Sequence, residues 1–413
     1  MNNPTHIQIT YTALEYLSDE AKKYWSSEKE IIGSASNYPD IFYTGKETEK
    51  YISTDADWRE FIIPKVNNES GKTVHQIFSE NDIEGTYPGL FKYYIDKITR
   101  SMADNDIVKA SKFAGCVSHI IADTAQPAHS VSYKTVAPLC NFENIRIYFH
   151  DIEAVGKSAK KYDYKAKILA PDCKTTVWVL TEKMKKLKND ASGIFIPLLF
   201  SFVENDTKTS EMYAEKAAGE AAKYVADFLE TLYYFYKYNK NYEKTFEILL
   251  SELLPYDCKI DNLFNGTVAI DKIPGRTPKE PVNLNIGNGD TSGIALMANM
   301  TPGFFGKRDT YVEYNVPAEL ECVFEAEIGL QCFGENKWKF SKNETGVIFK
   351  IYADENQIFK SQPIYEETSP IKIKLPLCNA KKIRIYADDI REDTFDTKFY
   401  FPVIANPKII FKL

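Results

Sequence analysis

The 413-residue chain is poor in histidine, with only five, and has no long run of one charge sign. Its 51 Lys and Arg against 58 Asp and Glu leave a net charge of −7, so nothing resembles the basic stripe that grips nucleic acid through its phosphates. An anionic substrate would therefore need local positive charge, which bound metal can supply. The seven cysteines, at 116, 140, 173, 258, 322, 332 and 378, form no C-x-x-C pair and exclude a zinc ribbon or a dense disulfide framework. Their odd number leaves at least one thiol without an intrachain partner. No stretch reaches the ~18 to 20 apolar residues of a membrane-spanning helix. The opening MNNPTHIQIT lacks the basic and apolar regions of a signal peptide. No internal repeat or low-complexity tract stands out.

What is present is an ordinary folded composition, 44% hydrophobic and 26% charged, in a length that suits two domains. Up to about residue 245, stretches such as IQITYTALEYLSDEAKKYW, YPGLFKYYIDKITRSMA, DIVKASKFAGCVSHIIADTA and SEMYAEKAAGEAAKYVADFLETLYYFYKY carry apolar residues at spacings of three and four. They predict a helical bundle. From about residue 280, short alternating or β-branched runs (TYVEYNV, CVFEAEIGL, GVIFKIYAD, PIKIKLPL, KKIRIYAD, KFYFPVIA) predict a β-sandwich. Between them KIPGRTPKEPVN holds three prolines in twelve residues. The expected organisation is multi-domain α + β: an all-α domain over 1–245, a linker over 246–281 and a β-sandwich over 282–413.

Two of the histidines and an aspartate crowd into SHIIADTAQPAHS, residues 118 to 130. His119 and Asp123 are four apart on a helical pattern and so share one face. Pro127 ends or kinks that helix and turns His129 back toward them. A lone helical histidine or aspartate is ordinarily solvated or satisfied in a core, but Ala114, Val117, Ile120, Ile121 and Ala122 indicate that this helix is at least partly buried. A buried carboxylate without a partner costs several kcal/mol. A cation resolves that cost, and imidazole with carboxylate is a common zinc ligand set.

HIIADTAQPAH, with its spacing H-x3-D-x5-H and internal Gln-Pro, resembles the central motif of the zinc-dependent phospholipase C family and of the related trinuclear-zinc single-strand nucleases. THIQITYTALEYL is similar to that family's first helix, SNYPDIFYTG to its aspartate segment and YFHDIEA to its last ligand segment. The order of the pieces is especially similar to that in the catalytic part of glycosylphosphatidylinositol-specific phospholipase D. The resemblance runs discontinuously over residues 1 to about 240.

Position by position, the resemblance implies zinc ions held by His119, Asp123 and Asp40, by His129, His150 and Glu153, and by His6 with a bridging Asp123. Glu153 stands three after His150 where the family has a glutamate four after, a place Ala154 fills here; Asp151 is a lesser candidate. In ISTDADWREF, Asp57 occupies the place of a family histidine, and His75 competes with it to complete the first site. The family's tryptophan start is replaced by Met-Asn-Asn-Pro, so the count of ions stays between two and three. Two zinc ions ~3.5 to 4 Å apart can bridge a phosphodiester and generate hydroxide from bound water near neutral pH. Asp40 and Asp57 are ligands and proton acceptors in that scheme.

Residues 282 to 406 resemble carbohydrate-associated β-sandwich modules of the NPCBM type, on TSGIALMANM, FEAEIGLQ, GVIFKIYADENQIFKS and PIKIKLPLCNAKKIRIYADD. The resemblance implies a sandwich of jelly-roll, galactose-binding-like type. Trp338 and Tyr352 are the aromatics that could stack on a sugar. The implied partners are a phospholipid or other phosphodiester, a glycan, and a membrane touched peripherally; nucleic acid fits the acidic balance less well, and a monomer is expected. The implied protein is a bacterial one, secreted or at the cell surface, its leader not part of this sequence. Two alternatives use the same residues: a single-strand nuclease or nucleotidase, and a surface glycan-binding protein whose helical half has lost its activity.

Overall fold

In the computed structural model, the described residues are 4–41, 58–64, 72–79, 83–132, 141–142, 145–146, 155, 158–238, 246–259, 268–272, 283–287, 289–296, 300–303, 306–308, 311–331, 346–365, 368–390 and 401–411. They fall into two compact units, Met1–Tyr242 and Glu243–Leu413.

The first unit is helical. The Ile107–Ala125 helix lies at its centre, with every residue from Phe113 to Ala125 buried. A helix apolar on all sides must be enclosed, and the enclosing helices are Pro4–Tyr16, Lys29–Ala35, Ile83–Ala103, Cys173–Val203 and Thr207–Tyr238. Asp106 caps its start by accepting from Lys109 N at 2.9 Å. Its end is set by Pro127: Gln126 before it turns to an extended backbone, and the proline opens the short helix Pro127–Ser130.

The stretch of helical spacing from Ile7 through Trp25 is broken into Pro4–Tyr16 and Asp19–Ser26. Ser18 supplies the break, giving its N–H and hydroxyl to the Glu230 carboxylate at 3.0 and 2.6 Å instead of continuing the helix. Residues 158–172, without helix or strand, run along the Thr207–Tyr238 helix, with Lys160 N donating to the Glu215 carbonyl at 2.9 Å. Gly219 permits that approach: a Cβ there would lie 2.4 Å from the Lys160 carbonyl oxygen. Asp227 then accepts from Tyr164 OH at 2.7 Å and from Lys167 N at 2.8 Å, and Thr231 accepts from Leu169 N at 2.8 Å.

The second unit is an antiparallel β-sandwich, as its period-two runs predict. One sheet orders its strands Asn356–Lys360, Gly346–Ala353, Lys382–Asp389, Tyr311–Asn315, Asp257–Lys259, with Ile364–Tyr365 beside Gly346–Ala353. The other orders Ile371–Pro376, Cys322–Leu330, Pro402–Phe411, Gly293–Leu296, Val268–Ile270, with Phe246–Leu249 beside Pro402–Phe411. Inward residues such as Val312, Phe324, Phe349, Ile351, Ile383, Ile404 and Phe411 are at most 1% exposed and form the core.

This corrects the expected linker over 246–281. Phe246–Leu249 pairs with Lys408–Phe411, Asp257–Lys259 with Tyr311–Glu313, and Val268–Ile270 with Ile294–Leu296. These strands are three or four residues long, too short to show a period, and their hydrogen-bonding partners include a strand more than 150 residues later. The proline-rich residues 273–282 lie outside the described residues.

Candidate metal centre

Six expected or competing ligands meet at one end of the central helix. His119 and Asp123 project from it one turn apart, with Nε2 of His119 3.0 Å from Oδ2 of Asp123. His6, in the first turn of Pro4–Tyr16, places Nε2 3.5 Å from Asp123 Oδ1 and 3.6 Å from Asp40 Oδ2. Asp40, on the single-turn helix Tyr38–Ile41, also has Oδ1 3.8 Å from His119 Nε2 and 3.9 Å from His75 Nε2. His129, carried back by Pro127–Ser130, has Nδ1 3.7 Å from Asp123 Oδ1. The His6 and His119 rings are 4.4 Å apart, and those of His75 and His119 6.3 Å.

The group is graded in depth. His6, His119 and Asp123 are buried, whereas the side chains of Asp40, His75 and His129 keep 22%, 24% and 26% of their surface. One ligand atom from each of His6, Asp40 and His119 lies within 4.8 Å of the other two.

Local structure fixes the rings. His119 Nδ1 donates to the carbonyl of Ser36 at 2.9 Å, which leaves Nε2 as the nitrogen facing the carboxylates. The Ser36 carbonyl reaches it because the Lys29–Ala35 helix crosses over Gly115, one turn before His119; a Cβ at 115 would stand 2.6 Å from the Ile32 carbonyl oxygen. A hydroxyl pair, Thr10 with Ser118 at 2.7 Å, joins the first helix to the central one beside the two histidines, and Thr10 Oγ1 also donates to the His6 carbonyl.

Electrostatically the cluster shares few protons. Burial alone would raise the Asp123 carboxyl, but the imidazoles of His119, His129 and His6 outweigh it and hold Asp123 well below the ordinary carboxylate range. Burial also opposes charge on His119, yet Asp123 and Asp40 raise it to about 9. His6 is lowered to about 4 by burial and by the charge on His119, and burial lowers His75 as well. Without a cation, an ionised Asp123 thus favours the charged form of His119 beside it.

The residues fit a divalent ion. His119 Nε2 is buried with no aligned hydrogen-bond partner among the described residues, though Asp123 is near, so its lone pair on losing the proton is free for a metal. Neutral imidazoles and carboxylates at this spacing are a hard-to-borderline donor set suited to zinc.

Asp57, His150 and Glu153, like Asp151 and Trp338, lie outside the described residues. Tyr352 stands on the outer face of its sheet, 5.5 Å from the Tyr386 ring. Sequence reasoning missed the Ser36 carbonyl, Gly115 and the Thr10–Ser118 pair. A backbone carbonyl carries no residue signal, and a glycine inside a good helix marks close packing only once its neighbour is known.

The β unit has a family match. Residues 292–401 match the NPCBM/NEW2 domain. The NPCBM/NEW2 match therefore covers the strands from Gly293–Leu296 to Lys382–Asp389. Phe246–Leu249, Asp257–Lys259, Val268–Ile270 and Pro402–Phe411, which complete both sheets, flank it.

No curated protein sequence matches the chain. Among solved structures it is similar to the CBM51 module of a Clostridium perfringens GH95 in complex with methyl-galactose, at 16% identity over 40% of this chain and 99% of that one, with a TM-score of 0.28. It is also similar to the alpha toxin of Clostridium absonum (9% identity, 99% and 98% covered, TM-score 0.37) and to the alpha-toxin of an avian Clostridium perfringens strain (12%, 100% and 99%, TM-score 0.34). These scores are low, and the reading of the metal centre rests on its own geometry.

Proposed function

We propose that the helical unit is a metal-dependent phosphodiester hydrolase of phospholipase C type, and that the NPCBM/NEW2-containing unit binds a glycan. The observation that carries the first part is the gathering of His6, Asp40, His75, His119, Asp123 and His129 from five separate helices into one half-buried cluster. Evolutionarily neutral surface chemistry does not bury four imidazoles and two carboxylates together, because each uncompensated group costs free energy.

In this proposal His119, Asp123 and Asp40 would hold one zinc together with His75 or Asp57, His6 with a bridging Asp123 would hold another, and His129 would begin a site that His150 and Glu153 complete. His75 is favoured over Asp57 for the first site by its distance of 3.9 Å from Asp40. Bound zinc would lower the pKa of water and offset phosphate charge. The chain's own part is positioning and proton handling. Asp123, held ionised, keeps the deep imidazoles oriented. Asp40, on the more exposed rim, is placed to accept a proton from the attacking water, and Asp57 is the second candidate for that role. The Ser36 carbonyl keeps His119 in the Nδ1–H tautomer.

The proposed setting is outside the cell or at its surface, where lipid and glycan meet. No helix among the described residues is long and apolar enough to cross a membrane. The test is zinc content together with hydrolysis of a phosphatidylcholine emulsion, a glycosylphosphatidylinositol and single-stranded DNA, each against Asp123→Asn. At least two zinc equivalents and lipid cleavage lost in the variant are expected. Cleavage confined to DNA would replace the lipid reading with the nuclease one, and a chain that takes up no zinc would end both.

A further inference from the structure

From Ala191 to Val203 the Cys173–Val203 helix carries no charged residue (ASGIFIPLLFSFV). Its inward side is accounted for: Phe195, Leu198 and Leu199 are buried against Ala128, with Val131 and Tyr213 packed on them, so this stretch supports the short helix that bears His129. Its outward side should be polar in a helix on a water-facing surface. Instead, Ile196 and Phe200, four residues apart on one stripe, are 40% and 61% exposed, with Gly193 and Val203 above and below them. Met212, early in the next helix, is 52% exposed. The helices meet in the turn Glu204–Asp206, and Ser201 bonds Ser210 across them at 3.0 Å, so these apolar side chains crown the end of a helical hairpin.

The charges around this crown indicate what it meets. From 204 to 212 the exposed Glu204, Asp206 and Glu211 face only one exposed cation, Lys208. A second copy docking by two-fold symmetry would present the same net-negative rim, like charge facing like. An anionic surface would be repelled. A zwitterionic phosphatidylcholine surface presents its choline cation outermost, which suits a carboxylate rim, and an exposed phenylalanine face attracts a quaternary ammonium.

We propose that Ile196, Phe200 and Met212 form a lipid-seating tip that inserts into the headgroup region of a zwitterionic, choline-rich surface. The proposal takes its role in catalysis from the phosphodiesterase reading, but the seating itself is independent of turnover.

The experiment is flotation of the full-length chain with phosphatidylcholine vesicles in chelator, comparing wild type, Ile196→Ser/Phe200→Ser and, as a control on an exposed apolar residue elsewhere, Val108→Ser. The double variant should bind at least about tenfold more weakly, the equivalent of ~1.4 kcal/mol, with the control unchanged. Replacing part of the phosphatidylcholine by phosphatidylserine should not strengthen binding. Phe200→Trp, a mild change at an exposed site, should show a blue-shifted emission on vesicles relative to wild type. Four results would overturn the proposal: wild type that does not float, a double variant that floats equally well, binding that requires anionic lipid and vanishes in salt, or a wild-type dimer that the double variant turns into a monomer. Hydrolysis of a short, monomeric phosphodiester by zinc-loaded protein should be equal in wild type and double variant. If both lack it while tip-dependent flotation persists, the phosphodiesterase reading falls and the seating surface stands.

Discussion

The imidazole of His119 and the backbone carbonyl of Ser36, 83 residues apart in sequence, are joined by a hydrogen bond of 2.9 Å. That bond decides which nitrogen of the deepest histidine faces the carboxylates, and it depends on the close crossing of two helices at Gly115.

Gly115→Ala tests the crossing. Its Cβ would fall 2.6 Å from the Ile32 carbonyl oxygen and 2.7 Å from Ala35 Cβ, so the Lys29–Ala35 helix must move. A loss of roughly 1–3 kcal/mol is expected for overpacking of this kind, together with weaker zinc binding. Thermal denaturation with and without zinc measures both, and an unchanged melting temperature in each state would contradict the packing argument.

Protonation of His119 gives a second test. In metal-free protein its imidazole is held up at about 9, so its stabilising charge is fully present below the ordinary imidazole value and is lost as pH rises through about 9. Asp123→Asn removes the main source of that rise and leaves burial to dominate. NMR titration of the His119 ring should find its midpoint moved downward in the variant; a midpoint that stays put would show that Asp123 is not the partner.

Zinc must displace that proton. Affinity should therefore increase by up to about tenfold per pH unit below the His119 midpoint, with about one proton released per ion bound at the deep site. Calorimetry in buffers of different ionisation heat counts the protons. Zinc binding independent of pH between 6 and 9 would be incompatible with His119 as a ligand.

Asp227 tests the strap of residues 158–172. Burial raises its carboxyl to about 6, against the opposing influence of Lys183 and of its bonds to Lys167 N and Tyr164. The folded state thus holds the proton more tightly than the unfolded chain, and stability should decline as pH rises from about 4 to 6, by on the order of 2–3 kcal/mol. Asp227→Asn should flatten that slope. Asp227→Ala, which leaves Lys167 N–H and Tyr164 OH without their acceptor, should cost about 2–4 kcal/mol. Denaturant melts across that pH range read out both variants.

Much of the architecture was written in local patterns. The three- and four-residue spacing around Ala110, Phe113, Val117 and Ile121 marks the central helix, and the alternation in CVFEAEIGL marks an inner strand, because burial on one face repeats with the element's own period. The Cys173–Val203 helix was less legible, since its lysine-dense middle, charge-free end and Pro197 blur any period. The short strands at 246–249, 257–259 and 268–270 were illegible for want of length.

Sequence alone determined the two textures of the chain, that His119 and Asp123 share a face and that His129 turns back toward them, because helical spacing and Pro127 act over a few residues. The family resemblance implied His6 and Asp40 as their companions, but only the tertiary structure decided that His75 joins them, that Ser36 orients His119 and that Phe200 stays in the open. Those relations span more than a hundred residues, and chain separation says nothing about distance until helices pack at glycine-close range.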